Sequence, residues 1–432
     1  MRVIILIGTK IRFYRKKQGL TLEQLADGIC SVSYLSKIEH GDKSSDEISR
    51  LLCDRLGISY IDEVEEEKEN LAKLDLELDN WYSSMLSIPT ISDLNSTKEI
   101  LEMKMAEINE PSVNLKFDLF LFCFFTMSDK LSEAEEIRQR LHTFKNFLSP
   151  KLLYYYELIN GIYHCNIAQM EEGTRSLYKA EQLLPTVRHS EEEEAELYYQ
   201  ISRMETLLYH IPKSINYANR ALDLYNRAYN MKRLADCQTL LGICNRRIFN
   251  FADAEYHYEQ ALKFVTILGN DQRKAILYHN LAFCHRSQNH FDTAIDLLQK
   301  SLELKLHNKA TTSSLIYTIA VLAETYFALK NYDQTKKYVD QGLALVPHTE
   351  DSLDYLRLKV VELKISGVPD SIYETFLRQK VVPALIKRNM WDRVAEYAEE
   401  LGSYYFENGQ YKLSSLYYRQ ANDSRKKVYN PG

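Results

Sequence analysis

The sequence predicts an all-α protein in which a small amino-terminal domain is followed by an array of stacked helix pairs. Glycine (14) and proline (9) are scarce among the 432 residues, which favours long, uninterrupted helices. A pattern of small residues recurs at nearly constant spacing along the chain. The charge is also uneven, because residues 1–60 hold ten Lys and Arg against seven Asp and Glu, whereas the rest hold 44 against 53. We therefore expect a basic head on an acidic body.

The recurring pattern starts with one small residue per unit, and the leading positions are Gly161, Ser202, Gly242, Ala282 and Ala323. These positions are 41, 40, 40 and 41 residues apart. A second small residue follows twelve positions later, an apolar or aromatic residue four after that, and a third small residue three later. Small side chains at such offsets allow two antiparallel helices to approach closely. Each unit is therefore predicted to be a helix pair.

Helix pairs of this kind stack, because one pair cannot bury its apolar face alone. The internal offsets resemble those of the tetratricopeptide repeat (TPR), which implies a right-handed superhelical solenoid of about eight or nine helix pairs over residues 81–432. The usual TPR unit is about 34 residues, so this longer unit predicts either longer helices or longer links. An all-α bundle with accidental repetition is the alternative.

Residues 1–60 are predicted to form a separate domain of four short helices, at positions 8–17, 22–28, 32–40 and 46–56. Thr21 and Ser31 stand directly before the second and third helices, where a hydroxyl can cap the first turn. Gly19, Gly41 and Gly57 follow three of the helices and can end them.

This domain resembles the helix-turn-helix of the Xre, Cro and phage-repressor family. The resemblance is carried by Ile7-Gly8, Ile11-Arg12, Arg15, Gly19-Leu20-Thr21, Leu25-Ala26 and Tyr34-Leu35-Ser36-Lys37-Ile38-Glu39 with Gly41. It implies that the third helix enters the major groove of double-stranded DNA and that its first residues contact base edges.

The resemblance also implies which residues contact DNA. The base-contacting set is Val32, Ser33, Tyr34 and Lys37, and the phosphate candidates are Arg12, Arg15 and Lys43. Ser31 is either a helix cap or a DNA contact. Glu39 is expected to hold the helix pair together, through Arg15, and not to face DNA.

A linker helix is predicted at residues 61–80. Leu71, Leu74, Leu78 and Trp81 recur at helical spacing. The charge run at residues 62–70 is typical of a solvated helix face, so we assign it no binding role. The linker leads into the TPR domain, residues 81–432, which is predicted to bind peptide and to dimerise.

The concave face of such an array is lined by the first helix of each pair and can hold an extended peptide. Side-chain amides can pair with a peptide backbone, and arginines can pair with carboxylates. Offsets from the leading small residues give the candidate peptide-binding residues Gln200, Arg203, Asn245, Arg246, Asn280, Phe283, Arg286 and Phe327. A merely solvated helix face is the alternative for each residue, but their clustering in adjacent units favours a site.

A helix-turn-helix head on a long-period TPR body resembles the RRNPP peptide-pheromone receptors of Gram-positive bacteria, and the short turn Gly28-Ile29-Cys30-Ser31 resembles the NprR and PlcR type. The resemblance implies a cytoplasmic quorum-sensing transcription factor, a homodimer or higher oligomer, that is switched by a short signalling peptide. It leaves open a second role in which the TPR domain binds a sporulation response regulator and modulates its phosphorylation. A scaffold for a folded partner is a further alternative.

Enzyme chemistry is not indicated. The sequence has no Gly-rich phosphate loop, no H-E-x-x-H motif and no nucleophile elbow, so we predict no catalytic residue and no cofactor. The seven cysteines form no C-x-x-C pair, which predicts no metal site and favours buried thiols in a reducing compartment. No apolar run approaches the length of a membrane span, so we expect no membrane partner.

Overall fold

The structure, a computed structural model, describes residues 2–42, 44–58, 60, 65–87, 91–106, 108, 110–346 and 352–429. Within these residues the regular secondary structure is helical and there is no strand. The predicted all-α class is confirmed. The chain divides into two compact units, Met1–Leu197 and Tyr198–Gly432.

The head at the start of unit 1 is a four-helix domain. Its helices are α1 (Arg2–Lys17), α2 (Leu22–Ala26), α3 (Val32–Glu39) and α4 (Asp46–Leu56). Thr21 caps α2 in a reciprocal capping box with Gln24, and the Ser31 hydroxyl accepts a hydrogen bond from the Tyr34 N–H at 3.2 Å. Both predicted caps are confirmed, and α4 has its predicted bounds.

The first helix differs from the prediction, because it begins at Arg2 and not at Gly8. Gly8 lies inside α1, where that helix touches α3. A Cβ atom on Gly8 would lie 2.0 Å from the carbonyl oxygen of Ile38, a distance that no side chain can occupy. The glycine therefore marks a close approach between two helices and not a helix start.

The rest of unit 1 is built of helix pairs. Its helices are α5 (Glu65–Leu86), α6 (Ile91–Met105), α7 (Pro111–Met127), α8 (Leu131–Thr143), α9 (Pro150–Asn166) and α10 (Met170–Leu183). The predicted linker helix lies within α5, apart from residues 61–64, which lie outside the described residues. Because Trp81 stacks on Phe117 with ring centroids 6.2 Å apart and Tyr82 stacks on Phe120 at 4.7 Å, α5 packs on α7 as part of the array.

Unit 2 is also built of helix pairs. Helix α11 (Glu191–Leu207) crosses the boundary between the units, and the helices after it are α12 (Ile211–Arg227), α13 (Met231–Arg247), α14 (Phe251–Ile267), α15 (Asp271–Ser287), α16 (Phe291–His307), α17 (Thr312–Ala328), α18 (Tyr332–Leu345), α19 (Leu353–Ile365), α20 (Asp370–Phe376), α21 (Val382–Lys387), α22 (Trp391–Glu407) and α23 (Tyr411–Tyr429). From α11 to α17 every helix has 17 residues. Longer helices, and not longer links, therefore account for the long period.

The turns inside the pairs share one backbone conformation. In the turn between α13 and α14, Phe249 has a φ of 60°, and the N–H of Asn250 donates to the carbonyl oxygen of Asn245 at 2.9 Å. Tyr209 occupies the same position between α11 and α12, with a φ of 63°. This is the Schellman arrangement, which ends a helix and reverses the chain in a few residues.

The predicted small residues lie where the two helices of a pair touch. A Cβ atom added to Gly161 would lie 2.6 Å from Cγ of Leu177, and one added to Gly242 would lie 2.5 Å from Cε1 of Tyr258. In both cases the glycine of the first helix receives the side chain that stands sixteen positions later. The recurring pattern is thus a set of matched contacts between neighbouring helices.

The pair after α18 is irregular. A π-helical segment, Leu377–Val381, separates α20 from α21. It directly precedes Pro383, which has no N–H to continue a regular hydrogen-bond ladder. Gly402 of α22 nevertheless lies 79 residues after Ala323, close to two periods.

Candidate functional site

The amino-terminal turn of α3 is an accessible part of the head. Its exposed side chains are Ser31, Val32, Ser33 and Lys37, with Tyr34 half-buried. On the opposite face of α3, Leu35 and Ile38 are buried in the head. The structure therefore leaves the predicted base-contacting residues free to reach a ligand, while the apolar face anchors the helix.

Arg15 faces the interior of the head. Its Nε donates to Oε1 of Glu39 at 2.6 Å, its Nη2 donates to Oε2 at 2.8 Å, and its Nη1 donates to the carbonyl oxygen of Leu20 at 2.9 Å. The expected bond from Glu39 is confirmed, and it ties α1 to α3. Because all three nitrogens have internal acceptors, we assign Arg15 to this structural pair and not to a phosphate contact.

The other two phosphate candidates are Arg12 and Lys43. The guanidinium of Arg12 is 5.4 Å from the ring centroid of Phe147, a residue of the repeat array in unit 1. Lys43 lies outside the described residues.

Unit 2 contains two adjoining cavities of about 540 Å³ and 220 Å³. They are enclosed by residues from the α11–α12 turn, from the first helices of several pairs and from α22. The side chains that both cavities share are Tyr209, Arg246, Arg247, Phe283, Asp392 and Arg393.

Three of the eight predicted peptide-binding residues line these cavities, namely Arg246, Phe283 and Arg286. The lining does not include Gln200, Arg203, Asn245, Asn280 or Phe327.

Some of the residues outside the lining already have partners in the protein. The amide of Asn245 is buried and donates to the carbonyl oxygen of Leu241 at 3.0 Å. Gln200 is also buried, and its amide oxygen accepts a hydrogen bond from Arg203 at 3.1 Å. The ring of Phe327 packs near that of Tyr332, with centroids 6.1 Å apart. The helical offset predicted that these residues lie on the concave face, but it could not predict their contacts within the protein.

Aromatic rings hold the arginines of the cavity in place. The guanidinium of Arg246 lies 4.5 Å from the ring centroid of Phe283, and those of Arg286 and Arg393 lie 5.7 and 5.8 Å from the same ring. On the other side, Arg247 lies 4.3 Å from the ring of Tyr209. A stacked guanidinium keeps its N–H donors at the edge of its plane, where a ligand can accept them.

Glu324 gathers three of the arginines around one carboxylate. Its oxygens lie 2.7 Å from Arg286 Nη1, 2.9 Å from Arg357 Nη2 and 3.6 Å from Arg393 Nη2. Burial would raise the pKa of Glu324, but the three guanidinium groups outweigh it and hold the pKa well below its usual range. The ionised carboxylate joins α15, α17, α19 and α22.

The cavities carry an excess of positive charge. Five arginines and three carboxylates line the larger cavity, and four arginines and two aspartates line the smaller one. An occupant with a negatively charged group therefore matches the site.

Sequence reasoning missed the contribution of the last regular pair. Asp392 and Arg393 stand in the first turn of α22, nine and ten residues before Gly402, outside the offsets from which the candidate residues were taken. The hydroxyl of Tyr209 donates to Oδ1 of Asp392 at 3.3 Å, and burial together with Asp392 raises the pKa of Tyr209 to about 12. Arg357 lies on α19, in the irregular pair, for which no leading small residue supplied an offset.

Two buried bases meet at Thr318, close to the cavity helices. Lys305 Nζ donates to the hydroxyl of Thr318 at 2.7 Å and to the carbonyl oxygen of Ser314 at 3.0 Å. His279 Nδ1 lies 3.2 Å from the same hydroxyl. Burial lowers the pKa of Lys305 from 10.5 to about 8, and burial with nearby cations lowers the pKa of His279 well below 6.5.

The described part of the chain contains no group of His, Cys, Asp and Glu side chains arranged to hold a metal ion. Among the same residues, no helix combines the length and the apolar character that a membrane span requires.

Comparison with known proteins gives three kinds of match. A helix-turn-helix family model matches residues 11–62. The transcriptional activator NprA of Geobacillus stearothermophilus is 30% identical over 422 residues, covering 94% of this chain and 100% of NprA. Two solved structures share the fold: a Rap protein complexed with competence and sporulation factor (TM-score 0.70, 18% identity, 84% of this chain and 100% of that one) and NprR in complex with its cognate peptide NprX (TM-score 0.65, 20% identity, 81% and 99%).

Proposed function

The chain belongs to the RRNPP family of regulators, and from this premise we propose that it is a transcription factor that binds double-stranded DNA through α3 and is switched by a short linear peptide held in the cavities of unit 2. The observation that carries the peptide assignment is the cavity lining, in which arginines outnumber carboxylates and stack on aromatic rings. NprR, which shares the fold, is described with a peptide bound.

The exposed turn of α3 supports DNA binding. Ser33 can donate to or accept from a base edge, Lys37 can reach a guanine or a phosphate, and the Val32 methyl groups can contact a thymine methyl. These side chains are exposed, whereas Arg15 is occupied by Glu39. We therefore assign the sequence-specific DNA contacts to α3. The phosphate contacts, which supply affinity that does not depend on sequence, are assigned to cations of the head other than Arg15.

The cavity favours a peptide that presents a carboxylate, from an acidic side chain or from its carboxyl terminus. Arg286 and Arg393 contact Glu324. Arg246 and Arg247 lie against the rings of Phe283 and Tyr209, and Arg247 Nη1 also donates to the carbonyl oxygen of Thr206. We assign the ligand carboxylate to Arg246 and Arg247, because both line the two cavities and, among the described residues, neither forms an ion pair with a carboxylate. A charge-assisted bond contributes about 1.5–3 kcal/mol.

The test is calorimetry with overlapping synthetic peptides that cover the short reading frame beside the gene. Arg246→Ala should weaken the binding peptide about tenfold or more, as expected for loss of one charge-assisted bond. Arg203→Ala is the matched control, since Arg203 does not line the cavities, and it should change affinity less than about twofold. Equal effects of the two substitutions would place the peptide elsewhere.

We further propose that the protein acts as a homodimer. A single head covers a short stretch of DNA, and two symmetric heads read two half-sites with higher affinity. Sedimentation of the full chain, alone and with DNA, should show a dimer under at least one condition. A monomer under every condition would contradict this part.

The fold shared with the Rap protein supports a second candidate, in which the helix-pair array binds a response regulator and modulates its phosphorylation. No residue of this chain is assigned a catalytic part in that role. Following the decay of purified phosphorylated response regulators, with and without this protein, distinguishes the candidates, because a pure transcription factor leaves the rate unchanged.

A further inference from the structure

Helix α1 buries two consecutive aromatic residues, Phe13 and Tyr14, which are 3% and 4% exposed. Neighbouring residues on a helix point in directions about 100° apart, so a small domain cannot cover both within its own core easily. The repeat array of unit 1 covers the Phe13 side chain. The ring of Phe13 lies 4.9 Å from that of Phe144 and 6.0 Å from that of Phe147, measured between centroids.

Two cations of α1 complete this contact. The Arg12 guanidinium lies 5.4 Å and the Lys16 ammonium 5.8 Å from the ring centroid of Phe147. Phe147 belongs to a short 3₁₀ turn, Lys145–Phe147, that follows α8. Below, "the clasp" means Arg12, Phe13 and Lys16 of α1 together with Phe144 and Phe147.

The clasp is well placed to control the orientation of α3. Helix α1 is fixed to α3 by the bidentate pair of Arg15 with Glu39 and by the close approach at Gly8. The aromatic rings of the clasp hold α1 to the repeat array at the same time, because the packed rings exclude water from each other. The exposed turn of α3 is not covered by the clasp, so the contact positions the DNA-binding surface without blocking it.

We propose that the clasp makes the head and the first helix pairs one rigid body, so that the repeat array, and not a flexible linker, sets the direction in which α3 meets DNA. In a dimer this fixes the distance between the two recognition helices. The consequence for DNA rests on the function proposed above; the rigid attachment itself does not.

The attachment is tested with Phe147→Ala, because Phe147 is half-buried and lies outside the head. Cys30 is half-exposed in the head whereas the other six cysteines are buried, so a maleimide fluorophore on Cys30 reports the motion of the head. Wild type should show one slow anisotropy decay, that of the whole chain, and Phe147→Ala should add a faster component. Circular dichroism checks that the variant keeps its helices.

Two further variants guard against a merely structural effect. Phe125 is another half-buried aromatic residue of unit 1, and the ammonium of Lys130 lies 5.9 Å from its ring centroid. Phe125→Ala should leave a single slow decay. The double substitution R12A/K16A removes the cations of the clasp without removing a buried ring and should release the head in part. A fast component already present in wild type, or no fast component in Phe147→Ala, would overturn the proposal.

The DNA consequence is tested with an operator selected in vitro and a second copy that has five extra base pairs between its half-sites. This insertion rotates one half-site by about half a turn. Wild type should lose affinity about tenfold or more, and Phe147→Ala less than about threefold, because its heads can reorient. If wild type tolerates the insertion as well as the variant does, the clasp does not set the spacing. If the anisotropy result holds but neither protein binds DNA, the proposed function fails and the rigid attachment stands.

Discussion

Replacing Gly242 with alanine tests whether the recurring small residues are fitted to the side chains that they receive. Gly242 lies on α13 directly beneath the ring of Tyr258, which is fully buried. The new methyl group would lie 2.5, 2.6 and 2.9 Å from three ring carbons of Tyr258. Carbon atoms in contact are normally about 3.5–4.0 Å apart, so the ring or the helix must move by about 1 Å.

Two opposing effects set the magnitude. Alanine is favoured over glycine inside a helix by about 0.5–1 kcal/mol. Overpacking of a close-packed interior costs about 1–3 kcal/mol, and a buried tyrosine has little room to move. We therefore expect Gly242→Ala to lower the free energy of unfolding by about 1–2 kcal/mol.

Urea unfolding followed by circular dichroism measures the effect, with Gly402→Ala as the matched control. Gly402 also faces a tyrosine sixteen residues on, but its Cβ would lie 3.1 Å from Tyr418, which is 40% exposed and can give way. Gly402→Ala should therefore be neutral or stabilising. The double variant Gly242→Ala with Tyr258→Leu reproduces the Ala282 and Leu298 pairing and should recover stability beyond additivity. If Gly242→Ala is as stabilising as Gly402→Ala, the matched-contact account is wrong.

Three further predictions concern the buried charges and the DNA surface. Lys305→Met should be at least as stable as wild type at pH 7.5. Because burial lowers the pKa of Lys305 to about 8, the unfolded chain binds more protons than the folded chain between pH 8 and pH 10. The free energy of unfolding of wild type should therefore rise by about 2 kcal/mol relative to that of the variant over this range, as measured by urea titrations. Glu324→Gln should destabilise unit 2 by about 3 kcal/mol in thermal unfolding, because three arginines lose their counter-charge, and a loss below about 0.5 kcal/mol would contradict this. Ser33→Ala and Lys37→Ala should each weaken binding to a selected operator by about 1–3 kcal/mol in fluorescence anisotropy, with full affinity after both changes as the contrary result.

The regular part of the fold could be predicted because its determinants are local. Constant spacing fixed the helix pairs, and hydroxyls before α2 and α3 fixed their starts. The turns were less accessible to prediction, because residues such as Phe249 adopt a left-handed conformation usually associated with glycine. Their conformation is imposed by the two helices they join and by the Schellman hydrogen bonds, not by their own preference.

The candidate sites were predicted only in part, for a related reason. Arg246, Phe283 and Arg286 lie in the regular repeats, and the helical offset brought them to the cavity. Asp392 and Arg393 lie in the first turn of α22, whereas the offsets were taken close to the leading small residues. Partners of single side chains, such as the one that occupies Arg15, depend on three-dimensional contacts that a helical offset does not contain.

The hydrogen bond between Tyr209 and Asp392 has a consequence for synthesis of the protein. Its partners are 183 residues apart, whereas in a simple repeat array each unit contacts only its neighbours. A ribosome adds about 5–20 residues per second, so Tyr209 waits about 10–40 s for Asp392 to be made. During that interval the arginines around Phe283 lack the side chains of α22, and early helix pairs of unit 2 cannot reach their final packing. Premature termination before α22 should therefore leave defects at α11 and α13, far upstream of the missing sequence.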